Sequence, residues 1–123
     1  MQKAMLIVDD SRVSRMMIRS FSAALQPDWR FFEAVSGEEA IQIAERETID
    51  LITMDMNMEG MSGMDAAEKI LAMQNSAFIV ILSANVQAVN RSKADALGLN
   101  FVAKPVTPAT VESIFALYGA SHA

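Results

Sequence analysis

Short apolar or aromatic runs alternate along the chain with longer segments of helical spacing. Ala4 to Val8 (AMLIV) is too short for a helix and reads as a strand buried on both faces, as in a parallel sheet. Ser11 can cap the next segment, where Val13, Met16, Met17, Phe21, Ala24 and Leu25 recur at helical spacing until Pro27 and Asp28 end it. Trp29 to Ala34 is an aromatic-rich second strand. Ser36 with Glu39 three residues on predicts a capping box and a helix from Gly37, with Ala40, Ile41 and Ala44 as its inner stripe. Leu51 to Met54 is a third strand, and Met64, Ala67, Ile70 and Leu71 mark a third helix. Phe78 to Leu82 (FIVIL) is the fourth strand, ending at Ser83. Val86 to Leu97 reads as a fourth helix with a thin stripe of Val89, Ala94 and Leu97, stopped by Gly98. Phe101 to Ala103 is a fifth strand. Thr107 and Pro108 then open a last helix with Val111, Ile114, Phe115 and Tyr118 buried, and Gly119 is expected to stop it. Five strand–helix alternations imply an α/β fold, a parallel sheet with helices on both faces.

Composition narrows the class. At 123 residues the chain suits one domain, 1–123, and shows no repeat, linker or second domain. A net charge of −5 without a Lys/Arg cluster argues against nucleic acid as a partner. With no cysteine, disulfides and thiolate metal sites are excluded. The longest apolar run, Ala77 to Leu82, is too short to span a membrane, and Met1-Gln2-Lys3 does not open a signal peptide, so a soluble cytoplasmic protein is expected. The ten methionines read as adaptable core filler.

The chemistry collects at the strand ends. A carboxylate at the end of a buried strand is costly unless something uses or neutralises it. In an open α/β sheet, ligands bind beyond the carboxyl ends of the strands. Parallel strands bring to that edge Asp9 and Asp10 after the first strand, Asp55 after the third, Ser83 after the fourth and Lys104 after the fifth. Each alone has a bland explanation as a turn former, cap or surface charge; the coincidence of all five does not. Three close carboxylates call for a cation. Hard oxygen donors without His or Cys select Mg²⁺, which completes its shell with phosphate oxygens. The lysine and the hydroxyl add a charge and a donor for those oxygens.

This combination resembles the receiver domain of two-component response regulators: a DD pair after the first strand, Asp55 after the third, Ser83-Ala84 after the fourth and Lys104-Pro105 after the fifth. The resemblance spans Met5 to about Tyr118 and is strongest to the single-domain CheY type. It implies a doubly wound (βα)5 flavodoxin-like fold with strand order 2-1-3-4-5. It also implies Asp55 as phosphoacceptor and Asp10, Asp55 and the Asn57 backbone carbonyl as Mg²⁺ ligands, with Asp9 acting through water. Ser83 and Lys104 would contact the phosphoryl oxygens, and Pro105 would follow a cis peptide. A histidine kinase, a histidine phosphotransfer protein or a small phosphodonor would supply the phosphoryl group. Ser83 and Phe101 would form the switch, with an effector protein on the face of helix 4, strand 5 and helix 5. The protein would be a monomer or a phosphorylation-dependent dimer, and no enzyme beyond its own phosphorylation and dephosphorylation.

Four positions depart from the commonest pattern. Glu59 stands where the loop usually carries proline, Phe101 where the CheY type often has tyrosine, and Ser83 where threonine is more frequent. Asn57 and Asn85 occupy the positions that tune phosphate lifetime. His122, in the tail, reads as neither ligand nor phosphodonor. Arg12 and Arg15 read as solvated helix charges, close enough to the acidic pair to steer an anionic phosphodonor. Relay intermediate or phosphate sink are alternative roles within the class. The rival from another class is a Mg²⁺-dependent aspartyl-phosphate phosphatase, which would place a second Asp where this chain has Asn57.

Overall fold

The computed structural model describes residues 2–73, 76–85 and 91–122. Strands and helices alternate as β1 (Ala4–Val8), α1 (Arg12–Leu25), β2 (Arg30–Ala34), α2 (Gly37–Arg46), β3 (Leu51–Asp55), α3 (Gly63–Met73), β4 (Phe78–Ser83), α4 (Arg91–Leu97), β5 (Asn100–Ala103) and α5 (Pro108–Ser121). The strands form one parallel sheet in the order β2-β1-β3-β4-β5. Of the expected fourth helix, residues 86–90 lie outside the described residues. No helix among the described residues is long and apolar enough to cross a membrane.

Alternation along the strands divides the core. Leu6, Val8, Ile52, Met54, Ile79 and Ile81 pack with Ala40, Ile43, Ala67 and Ile70 of α2 and α3. Met5, Ile7, Leu51, Val80 and Leu82 face the other way, onto Ile18 of α1 and Val111, Ile114 and Tyr118 of α5. β1 and β3 are buried along their whole length, which is why they read as unbroken apolar runs.

The sheet's hydrogen bonding continues one residue past several strands and fixes the carboxyl edge. Asp9 N–H donates to the Ala34 carbonyl at 3.1 Å, Met56 N–H to Leu82 at 2.9 Å and Lys104 N–H to Ser83 at 2.9 Å. The residues that carry candidate chemistry are therefore held by the same ladder as the core.

Two expectations are corrected. Most of the expected apolar stripe of α1 is not its buried face: Val13 and Met16 are 66% and 56% exposed, only Phe21 of the stripe packs partly against the core, and Ile18 and Ser22 are the buried residues. Turning Met16 inward would pull Arg15, on the same side as Ile18, away from the polar groups it binds. Gly119 does not stop α5, which runs through Ser121. A glycine inside a helix costs about 1 kcal/mol. Here the His122 ring stacks on Tyr118 at 4.1 Å between centroids, and its Nδ1 lies 2.9 Å from the Tyr118 carbonyl, closing the extra turn. The α2 cap also differs in detail: Ser36 accepts from Glu39 N–H, but the Glu39 carboxylate reaches back to Val35 N–H at 3.0 Å. Thr107 and Thr110 do cap α5 reciprocally.

One close approach ties the fold to the site. A Cβ on Gly63, the first residue of α3, would lie 2.3 Å from the Asp55 carbonyl oxygen, so only glycine lets the helix start there. Gly63→Ala is expected to destabilise the protein by roughly 1–3 kcal/mol through overpacking against backbone. Urea unfolding of the two proteins checks this.

Candidate functional site

The turn after β1 is built around Asp9. Its carboxylate is fully buried and accepts the Ser11 N–H at 2.8 Å on Oδ1, while Ser11 Oγ in turn caps α1. The Asp9 carbonyl accepts the Arg15 guanidinium at 2.8 Å. Asp10 follows and is exposed. Asp55, the last residue of β3, is buried, and Ser83, the last of β4, is buried with its Oγ accepting Asn85 N–H at 3.1 Å. Lys104 leaves β5 half-buried and brings its Nζ to 3.1 Å from Asp55 Oδ1 and 3.5 Å from Asp9 Oδ2. The Lys104–Pro105 peptide bond is cis.

These contacts bring together carboxylates that could hold a cation. One carboxylate oxygen from each of Asp9, Asp10 and Asp55 lies within 4.8 Å of the others. The donors are hard oxygens, and no histidine or cysteine stands with them, a set that fits Mg²⁺. The Asn57 backbone adjoins the Asp55 carboxylate. Glu59 is exposed.

Burial pushes the Asp55 carboxyl above the usual range; the Asp9 charge adds to this, and the Lys104 ammonium opposes it. Burial alone would lower Lys104, but hydrogen bonding to Asp55 and the charges of Asp9 and Asp55 hold it above its ordinary value. Both partners shift upward because one ammonium is shared between two buried carboxylates. It is itself well satisfied, yet it returns to Asp55 less than burial removes.

The sign for stability follows. A raised carboxyl contributes stability that is complete below its unfolded value, about 3.9, and lost as the pH rises through the folded value. In EDTA, the urea midpoint of the wild type is therefore expected to fall relative to that of Asp55→Asn as pH rises from acid to neutral. A gap between the two midpoints that does not change with pH would contradict the ionisation cost at Asp55.

Ser83 and Phe101 stand on the same face of neighbouring strands. Ile81 pairs with Phe101 and Ser83 with Ala103, so Ser83 sits one alternation beyond the Phe101 partner. Phe101 is half-buried against the α2–α3 side of the core. Lys93 of α4 reaches Asp65 at 3.3 Å and Glu68 at 3.4 Å on α3.

The structure thus gathers Asp9, Asp10, Asp55 and Lys104 directly, with Ser83 at the same edge. It also assigns Arg15 and Glu33 a place that the sequence reading missed. Arg15 is not a solvated charge: its side chain is 12% exposed and also donates to Glu33 at 3.1 Å. The available signal was its spacing, since Arg15, Ile18 and Ser22 share one helical face. Arg12 is exposed, as expected.

The chain is similar to known proteins in both sequence and fold. The family model described as response regulator receiver domain matches residues 5–116. The chain is 33% identical over 112 residues to the chemotaxis protein CheY of Thermotoga maritima, covering 90% of this chain and 92% of that protein. It is 35% identical over 79 residues to the transcriptional regulatory protein LiaR of Bacillus subtilis, spanning only 37% of that protein's length. Among solved structures, a CheY-like receiver domain protein from Methanospirillum hungatei superposes with a TM-score of 0.87 at 19% identity, covering 99% of this chain and 98% of that one. Chemotaxis protein CheY4 of Vibrio cholerae superposes at 0.84 with 22% identity, covering 96% of this chain and 99% of the other. The chain belongs to the response regulator receiver domain family and is CheY-like within it.

Proposed function

We propose that Asp55 accepts a phosphoryl group from a phosphohistidine donor and that the acyl phosphate changes the affinity of the chain for a partner protein. The observation that carries this reading is the convergence of Asp9, Asp10 and Asp55 within 4.8 Å, with the Lys104 ammonium 3.1 Å from Asp55. An Asp55 carboxylate oxygen forms the new bond to phosphorus, and the bond from phosphorus to the donor's imidazole nitrogen breaks, the electron pair leaving with nitrogen. Asp10, Asp55 and the Asn57 carbonyl would hold Mg²⁺, with Asp9 acting through water, and the ion when bound would neutralise charge on the transferred group. Lys104 exchanges its bond to Asp55 for one to a phosphoryl oxygen, and Ser83 supplies a hydroxyl to another.

The placement of Ser83 and Phe101 on one face supports a coupled switch, in which movement of the hydroxyl frees space for the aromatic ring. Output then runs through the face of α4, β5 and α5. The exposed Val13, Met16 and Met17 support docking of an apolar helix from a histidine kinase or phosphotransfer protein. Beside them a groove of about 400 Å³, lined by Met17, Ala84, Lys104, Pro105 and Val106, opens toward the site. The near-complete alignment with a chemotaxis CheY supports a receiver that acts through a separate protein.

Intact-mass spectrometry after incubation with Mg²⁺ and acetyl phosphate tests the proposal. One phosphoryl adduct is expected, and EDTA is expected to abolish it. Absence of the adduct, together with failure to bind beryllofluoride, would leave partner binding without phosphorylation.

A further inference from the structure

We infer that Arg15 is a positioning residue that sets the affinity of the acidic pocket for Mg²⁺ by clamping the Asp9–Asp10 turn to β2. The inference rests on the reading of that pocket as a Mg²⁺ site.

Arg15 lies in the second turn of α1 with its side chain 12% exposed. Its Nη1 donates to the Asp9 carbonyl at 2.8 Å, and its Nε donates to Glu33 Oε1 at 3.1 Å. Glu33 sits on β2, so the guanidinium joins the neighbouring strand to the peptide unit between Asp9 and Asp10. That peptide plane decides where the Asp10 side chain leaves the backbone. Among the described residues no hydrogen bond or ion pair holds the Asp10 carboxylate, in contrast to Asp9, which is held by Ser11 N–H and Lys104. Asp10 therefore depends on its backbone for position, and Arg15 fixes that backbone.

The charge of Arg15 is directed elsewhere. Glu33 takes both Arg15 and Arg19, the latter at 2.8 Å. These two cations outweigh burial and hold the Glu33 carboxyl below the ordinary range, so it stays ionised as their counter-charge. A planar fork is needed to reach both an acceptor on β2 and one in the turn after β1, which an ammonium cannot do with the same geometry.

Position and charge predict opposite signs. A cation beside a Mg²⁺ site weakens binding, so on electrostatics alone Arg15→Met tightens it. A positioning role predicts the reverse. Outer partners of metal ligands typically carry ten- to a hundredfold in affinity, so roughly tenfold weaker binding is expected for both Arg15→Met and the charge-retaining Arg15→Lys. Glu33→Gln leaves Arg15 in place with a weaker anchor and is expected to fall between wild type and these variants; it also serves if Arg15→Met does not fold.

Calorimetric titration of the metal-free full chain with MgCl2 is the test, with circular dichroism confirming the fold. Amide shifts of Asp9 to Ser11 in the absence of Mg²⁺ report the turn itself and are expected to move in each variant. Affinity that is unchanged or tighter in the folded variants would overturn the positioning role while leaving the receiver reading intact. A wild type that binds no Mg²⁺ would overturn the reading of the pocket as a Mg²⁺-dependent phosphoacceptor site and this inference with it.

Discussion

Asp55→Asn is expected to leave a folded protein that takes up no phosphoryl group from acetyl phosphate. The amide keeps the shape of the side chain and removes the nucleophilic oxygen. Asp55 is the residue that meets Lys104 at 3.1 Å and is buried at the end of β3. The nearby carboxylates are less suited: Asp9 is fully buried with both oxygens engaged, by Ser11 N–H and by Lys104. Asp10 is exposed and carries no cationic partner of its own among the described residues. The expected effect is complete loss of the adduct in the intact-mass measurement, with an unchanged circular dichroism spectrum. An adduct of normal yield on the variant would move the acceptor to another side chain.

Lys104→Met is expected to slow phosphorylation of Asp55 by about a hundred- to a thousandfold, the usual consequence of removing one preorganised donor from a developing oxyanion. Methionine retains most of the stem and loses only the ammonium. In the resting protein that ammonium is shared by Asp55 and Asp9 at 3.1 and 3.5 Å. Its loss leaves two buried carboxylates facing each other, so the Asp55 carboxyl moves further upward. The variant should also be less stable than wild type, because the buried Asp9 and Asp55 side chains lose the cation they share. The rate of adduct formation by mass spectrometry and urea unfolding check the two halves of this prediction. An undiminished rate would assign charge neutralisation in the transfer to the metal alone.

Much of the fold was legible because strand and helix signals are local. AMLIV and FIVIL are continuous apolar runs, and β1 and β4 occupy them. Ser36, Thr107 and Gly98 mark helix ends by the chemistry of a cap or a positive φ, and the structure has a cap at each serine or threonine and a φ of 70° at the glycine. The convergence of Asp9, Asp10, Asp55 and Lys104 was legible for a topological reason. Parallel strands share one carboxyl edge, so residues distant in sequence that each follow a strand must meet there.

Which way α1 faces was not legible. Its apolar residues Val13, Met16 and Met17 suggest one face by periodicity, and the structure buries another, with Arg15 beside Ile18. Periodicity counts hydrophobic burial only. The helix is also held by a guanidinium that must satisfy the Asp9 carbonyl and the Glu33 carboxylate at once, and those acceptors lie in the turn after β1 and on β2. The same limit applies at Gly119, where a residue that ends helices in isolation is carried inside α5 by the stacking of His122 on Tyr118. By itself the sequence determined the order of elements, the parallel sheet and the strand-end residues that carry the chemistry, because those depend on local pattern and on topology. The tertiary structure alone decided the helix faces, the shared Lys104 and the clamp on Asp9, because each depends on the distance between groups that the chain brings together only when folded.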